Sequence, residues 1–369
     1  MYRSGKPLRH PKPVGSDNLT KDISLGITTF IIISLIKIAA VIFVMMTAAA
    51  YSVWLERKVS AHIQNRWGPT RVGPFGLLQP LADGVKFIFK EDLTEANVYK
   101  PLYIAAPIIA MAFALTSIAV VPFGNFVYAG PWGTYLQITD VNIGLLVVLG
   151  STAMGVYGVA LAGWSSNSKY SLLGGLRASA QMISYEVSLG LALVGVVIMA
   201  GSLSLREIVD AQGGHYFGFI PRWNIFSGQV FAFFIYLIAA YAETNRAPFD
   251  LPEAESELVA GYHTEYSSMK FAMFFVAEYC SMVTVSCVAT LMFLGGWHGP
   301  IFGPYLLRAA LPVIWFCVKV FCFMFLYVWV RWTLPRFRYD QLMSFGWKIL
   351  LPLAMANIVI TALIVAWRG

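Results

Sequence analysis

Eight stretches of 18 residues or more run through this chain almost without charge: 23–55, 102–121, 142–164, 178–203, 225–242, 271–297, 309–330 and 349–367. About 20 helical residues cross a hydrocarbon core of about 30 Å, whereas a barrel strand needs only about ten. Backbone polar groups at that depth must be satisfied within their own segment, so runs of this length are helices. The composition excludes a soluble globular protein: 58% of the 369 residues are apolar and 12% charged, with a mean hydropathy of +0.67, where soluble domains carry about 25% charge. The expected class is an all-α polytopic membrane protein with eight transmembrane helices. A basic tail, 1–22, precedes a single membrane domain, 23–369. No small-residue cleavage site follows a short apolar core, so the first run reads as a retained span.

The charge balance of 26 basic against 19 acidic residues fits basic span ends and gives no reason to invoke nucleic acid. Connections after the first, third, fifth and seventh runs carry fifteen basic residues, and those after the even runs carry three, Arg206, Arg222 and Arg308. That asymmetry puts the odd connections in the cytoplasm and both termini on the periplasmic side. The N-terminal tail, with Arg3, Lys6, Arg9, Lys12 and Lys21, argues the other way. In the first cytoplasmic connection, 77–89 is too short to cross. It places Leu77, Leu78, Leu81, Val85, Ile88 and Phe89 near one helical face and Asp83, Lys86 and Lys90 on another, the pattern of an interfacial amphipathic helix.

Cys280, Cys287, Cys317 and Cys322 lie inside apolar runs without ligand spacing and read as small apolar fillers. The chain shows no Gly-rich nucleotide loop or metal-spaced histidine cluster, so any redox chemistry is expected on a neighbouring subunit.

Ionisable residues within the runs are the informative minority, because each costs about 2.5–3.5 kcal/mol at the bilayer centre on insertion scales. Lys37, Glu186, Glu278 and Lys319 lie inside runs, and Glu243 closes the fifth. The segment AETNRAPFDLPEAESE then gathers Glu243, Asp250, Glu253, Glu255 and Glu257 around a single base, Arg246. Crowded carboxylates repel one another and hold protons more readily. Pro248 and Pro252 break the helix, leaving backbone at membrane level that is tolerable only against protein or water. Such a set suits a proton-transfer chain, in a proton-coupled secondary transporter or in the membrane part of an energy-converting redox complex.

Four segments decide between these. WLERKVSAHIQNRWGPTRVGPFGLLQPLADGVKFIFKED, GWSSNSKYSLLGGLRASAQMISYEVSLGL, AETNRAPFDLPEAESELVAGYHTEYSSMKFAMFFVAEY and LPRFRYDQLMSFGWKILLP resemble the cytoplasmic-side signatures of the H-subunit family of bacterial NADH:quinone oxidoreductase. Its mitochondrial counterpart is subunit 1 of complex I. The resemblance runs in register from about Trp54 to Leu351.

It implies eight spans plus the interfacial helix, in the bacterial inner membrane. The site would be the junction with the hydrophilic-arm subunits that carry FMN, the iron-sulfur clusters and the quinone head-group site. Small membrane subunits and antiporter-like subunits would be the other partners. No cofactor would be bound by this chain alone, with quinone as the substrate. By resemblance, Arg57, Arg66 and Asp83 would guard a quinone tunnel entrance, and Arg246, Phe249 and Asp250 would line its inner wall. Glu253, Glu255 and Glu257, then Glu243, Tyr185, Glu186 and Glu278, would form an acidic passage from the quinone cavity toward the antiporter-like subunits. Two departures stand out: Lys37 lies deep in the first run, and the tail is long and basic. Membrane subunits of energy-converting hydrogenases are the related alternative.

Overall fold

The computed structural model describes residues 27–124, 136–216, 220–250 and 259–368, and most of these are helical. The tail and Glu253, Glu255 and Glu257 lie outside the described residues. Helix α1 covers Ile27–Ile63, the interfacial α2 covers Gln79–Phe89, α3 Lys100–Thr116, α4 Gly144–Ser165, α5 Lys169–Ala200 and the short α6 Leu205–Ala211. A two-stranded antiparallel hairpin, β1 (His215–Tyr216) and β2 (Ile220–Pro221), precedes α7 (Val230–Glu243), α8 (Ser268–Phe293) and α9 (Tyr305–Thr333). The short α10 (Tyr339–Phe345) runs through a π-helical turn into α11 (Leu351–Arg368).

Among the described residues, seven helices are long and apolar enough to cross a membrane. The fifth run differs, because α7 holds only 14 residues, about 21 Å of helix. Its first residues are spent on a turn: Ile225 N donates to Phe293 O, Gln229 N to Asn224 O, and Gly228 sits at φ +108°, where L side chains are strained. Helix α1 is the opposite case at 37 residues, about 55 Å. Residues 38–55 between Lys37 and Glu56 carry no charge, so Lys37 stands at the end of a charge-free window rather than within it.

Hydrogen bonds between connections show which ends share a face. Ser268 Oγ donates to Phe87 O (2.9 Å) and Lys90 O (2.8 Å), Tyr103 OH to Glu265 O (2.6 Å) and Tyr99 N to Ser165 O (3.0 Å). These join the connections after α1, α4 and α7 at one end of the bundle. At the other end, Leu145 N donates to Leu203 O, and Lys319 Nζ donates to the carbonyls of Leu294, Gly296 and His298 at 2.7, 2.8 and 2.7 Å. Lys319 also stands 4.3 Å over the Trp223 ring. All three of its protons are spent on the carbonyls beyond α8, so this buried cation caps a helix.

The core is centred on α8, which packs against α1, α2, α3 and α9, while α5 gathers α4, α7 and α11. The interfacial helix α2 carries a proline in its first turn and leaves Leu81, Val85, Ile88 and Phe89 exposed along one side. Its Asp83 turns the other way, to Arg57 at 2.8 Å.

The turn before α8 is held by close packing. A Cβ on Gly174 of α5 would meet Gly261 Cα at 2.7 Å, so two backbones touch here. His263 is buried among the rings of Tyr262, Phe271 and Phe275, with centroids at 4.9, 5.3 and 5.8 Å. Burial pushes its imidazole down to about 4, against the opposing pull of Asp250. A histidine in unfolded chain titrates near 6.5, so between about 6.5 and 4 the docked turn binds fewer protons than the opened one. Docking is therefore fully favoured above about pH 6.5 and weakens as the pH falls toward 4. Amide exchange of residues 259–267 in the assembled protein, corrected for intrinsic rates, should show lower protection at pH 5 than at pH 7, and His263→Phe should abolish the difference. Equal protection of the unsubstituted protein at both values would contradict this.

Candidate functional site

Glu243 is the last residue of α7 and is buried. Thr244 N still closes a helical bond to Ala240 O, and the helix stops at the next residue because Asn245 adopts φ +50°, a conformation asparagine tolerates better than most residues. The chain then folds into the protein. Gln181 Nε2 on α5 donates to both Ala242 O and Phe249 O at 2.8 Å, pinning the two ends of this non-helical segment. Backbone that leaves a helix at membrane level is thus satisfied inside protein.

This turn delivers Arg246, 4% exposed, into a cluster drawn from four segments. Its Nε meets the Glu278 carboxylate on α8, its Nη1 lies 3.6 Å from Glu56 Oε2 on α1, and its guanidinium stands 4.3 Å over the Tyr279 ring. Glu56 in turn accepts from the Tyr279 hydroxyl at 2.5 Å and from Arg331 Nη1 at the end of α9. Among the described residues of this cluster two arginines face two carboxylates, so their formal charges cancel. Cancellation of this kind is what lets ions stay buried, since removing one partner costs several kcal/mol.

Beside the cluster lies a cavity of about 70 Å³ whose walls include Glu243, Glu278, Ser151, Thr152, Asn245 and Ser281. Its walls carry polar and apolar side chains together, and it is large enough to hold water. Glu243 and Thr152 also border a second void of about 10 Å³ with Tyr236 and Thr284. Half-buried Glu186 on α5 interacts electrostatically with Glu243. Glu243 and Glu278 thus share one cavity wall beside the arginine cluster, with Glu186 near enough to Glu243 for their charges to interact. Tyr185 points elsewhere: its hydroxyl donates to Leu342 O at 2.8 Å, and its ring lies 6.2 Å from that of Phe249.

The residues expected at the tunnel divide into groups. Arg57 and Asp83 pair with each other across α1 and α2, with Lys86 3.7 Å from Asp83. Arg66, on the exposed turn after α1, donates from Nε to Gln64 at 2.7 Å and does not join the buried cluster. Phe249 stacks on Phe337 at 5.5 Å, Asp250 pairs with Arg336 at 3.2 Å, and Phe337 N donates to Pro248 O at 3.1 Å. An apolar cavity of about 350 Å³ between α1, α8 and α9 reaches Ser52, Leu55 and Val283, within one helical turn of Glu56 and Tyr279.

Sequence reasoning does not single out Glu56, Tyr279, Arg331, Gln181 or Arg336. For Glu56 a signal exists: Met45, Ala49, Ser52, Glu56 and Ser60 share one helical stripe of mostly small residues, and all five are buried. Arg331 and Arg336 contribute to the basic count of the connections and are masked by it. Nothing local marks Gln181 or Tyr279.

A family model described as NADH dehydrogenase matches residues 36–362. In Koribacter versatilis, the NADH-quinone oxidoreductase H subunit numbered 2 is 66% identical over 356 residues, covering 93% of this chain and 99% of the relative. The H subunit numbered 1 in Solibacter usitatus is 52% identical, covering 92% and 98%, and the H subunit of Protochlamydia amoebophila is 54% identical, covering 86% and 92%. With the buried acidic site and the long apolar helices, these matches establish that the chain belongs to the H-subunit family of NADH-quinone oxidoreductase.

Proposed function

We propose that this chain is the membrane subunit that forms the membrane-side wall of the quinone tunnel and passes the charge change of quinone reduction into an acidic chain. The observation that carries the proposal is the cavity that Glu243 and Glu278 both line, with Arg246 joining Glu278 to the tunnel-side segment. Electrons come from the terminal iron-sulfur cluster of a hydrophilic-arm partner, and FMN belongs to that arm too. Reducing a quinone to the quinol takes up two electrons and two protons. The negative charge that accompanies electron arrival raises the proton affinity of nearby carboxylates and attracts nearby cations.

The residues of this chain act on that charge in two places. At the entrance, Arg57, held by Asp83, presents a half-exposed cation beside the interfacial helix, where the polar head must leave the lipid. Further in, Arg246, Phe249 and Asp250 share one short segment, fastened by Gln181 on one side and by Arg336 and Phe337 on the other. The apolar cavity below Glu56 offers a hydrocarbon tail a wall next to the charged cluster. Glu253, Glu255 and Glu257 would connect this segment to the cavity. From there Glu278, Glu243 and Glu186 lead toward the small and antiporter-like membrane subunits. The odd connections face the cytoplasm, both termini lie on the periplasmic side, and the membrane is the bacterial inner membrane. The names of the relatives favour this reading over an energy-converting hydrogenase subunit or an autonomous transporter.

In assembled complex, Glu243→Gln should lower NADH:quinone turnover by roughly an order of magnitude or more, the scale on which a proton-transferring group contributes. NADH oxidation by an artificial acceptor should persist, since it uses only the hydrophilic arm. Retention of full quinone turnover would remove Glu243 from the chain. Arg57→Ala should raise the apparent KM for quinone severalfold with little change in assembled enzyme. An unchanged KM would take Arg57 out of the entrance.

A further inference from the structure

Arg246 is reached by two carboxylates on different helices and in different surroundings. Glu278 meets its Nε at the wall of the cavity that it shares with Glu243. Glu56 stands 3.6 Å from its Nη1, on a carboxylate already engaged by Arg331 and by the Tyr279 hydroxyl. The two contacts are unequal: the first is a close ion pair, and the second is longer than a hydrogen bond. Beneath both lies the Tyr279 ring, 4.3 Å from the guanidinium. A planar fork with five donors can turn over such a ring and exchange one acceptor for another while keeping its stacking contact.

We propose that Arg246 is a shared cation that moves from Glu278 to Glu56 when Glu278 takes up a proton, which makes Glu56 a positioning residue for the coupling step. The proposal rests on the acidic-cavity reading above. While Glu278 is ionised it holds Arg246, because Glu56 divides its charge among three partners. A proton from the cavity converts the Glu278 carboxylate to a neutral carboxyl, and Glu56, a carboxylate 3.6 Å from Nη1, can then draw the guanidinium toward α1. Only that proton is transferred, and Arg246 keeps its own protons throughout. The charged and titratable groups around the exchange are Glu56 on α1, Glu278 and Tyr279 on α8, Arg331 on α9, and Glu243 and Tyr262 across the cavity.

The consequence reaches the tunnel. Arg246 begins the segment that carries Phe249 and Asp250, so a move toward α1 pulls on the wall fastened by Arg336 and Phe337. Linkage makes the effect mutual: whatever displaces that wall changes how readily Glu278 accepts a proton. A quinone-side event and a cavity-side proton then bias one two-position element.

The test measures NADH:quinone turnover against pH in complexes carrying Glu56→Gln or Arg331→Gln, normalised to artificial-acceptor oxidation as the measure of assembly. Glu56→Gln takes from Arg246 the carboxylate that competes with Glu278, which opposes protonation of Glu278, so the alkaline limb of turnover should move down by about one pH unit. Arg331→Gln frees Glu56 to hold Arg246 more strongly, so the limb should move up by a similar amount. A merely structural role would lower turnover equally at every pH. Opposite shifts, together with a density map of the Glu278→Gln complex showing the Arg246 guanidinium against Glu56, support the shared cation. Absent shifts, shifts of the same sign, or a guanidinium still resting on the substituted side chain overturn it, since fixed charges alone would give opposite shifts without the movement. Should Glu56→Gln fail to assemble, the upward shift of Arg331→Gln or its absence decides together with that map. Glu278→Gln run in parallel separates the two layers. Full turnover there overturns the acidic-cavity reading and this proposal together, whereas lost turnover with no shift in the other two overturns the shared cation alone.

Discussion

Charge inside a membrane protein survives only with partners, and here that constraint organises one end of the bundle. Glu56, Arg246, Glu278 and Arg331 come from α1, the segment after α7, α8 and α9, and their formal charges cancel. An isolated ion would carry an insertion cost of about 2.5–3.5 kcal/mol, and a buried pair robbed of one member is strongly destabilised. The four segments are consequently tied to one another by the charges that their meeting satisfies. Helix α7 ends early enough, after 14 residues, to leave its last carboxylate at the wall of the cavity instead of in solvent.

The same economy of polar groups explains why backbone can leave the helical state at this depth. Gln181 supplies donors to two carbonyls of the 242–249 segment, and the segment after α9 supplies Phe337 N and Arg336. At the opposite end, Lys319 performs the equivalent service for the carbonyls beyond α8. The two ends differ in kind. Lys319 has every proton committed to fixed acceptors, so it is a cap, whereas Arg246 faces two carboxylates that compete for it, so it can respond to a proton.

Much of the architecture is legible in the sequence because apolar runs longer than 18 residues admit few other structures. The interfacial helix follows from the face made by Leu81, Val85, Ile88 and Phe89. The fifth run misleads, since hydropathy cannot see Gly228 and Asn224 turning its first residues out of the helix. Glu243, Glu278 and Glu186 announce themselves by their cost in an apolar setting, and Arg246 as the single base of an acidic segment. Glu56 does not, because it sits where a run ends and reads as a boundary charge until the buried stripe of α1 is recognised. Family resemblance groups Tyr185 with the acidic passage; in the structure its hydroxyl is engaged by Leu342 O on α10. The same resemblance gives Arg57 and Arg66 to the tunnel entrance, and in the structure both are exposed, Arg57 paired with Asp83 and Arg66 with Gln64. Contacts of this sort depend on where helices cross, which no local pattern encodes.

The proposed coupling role would require Glu243 and Glu278 to face one hydrated cavity in the membrane body, with Arg246 against Glu278 at its wall. A density map of the intact assembly at a resolution that shows ordered water tests this most directly. Water should lie between the two carboxylates, and the Arg246 guanidinium should rest against Glu278 or Glu56. Carboxylates turned toward acyl chains, or separated by packed apolar side chains with no water between them, would contradict it.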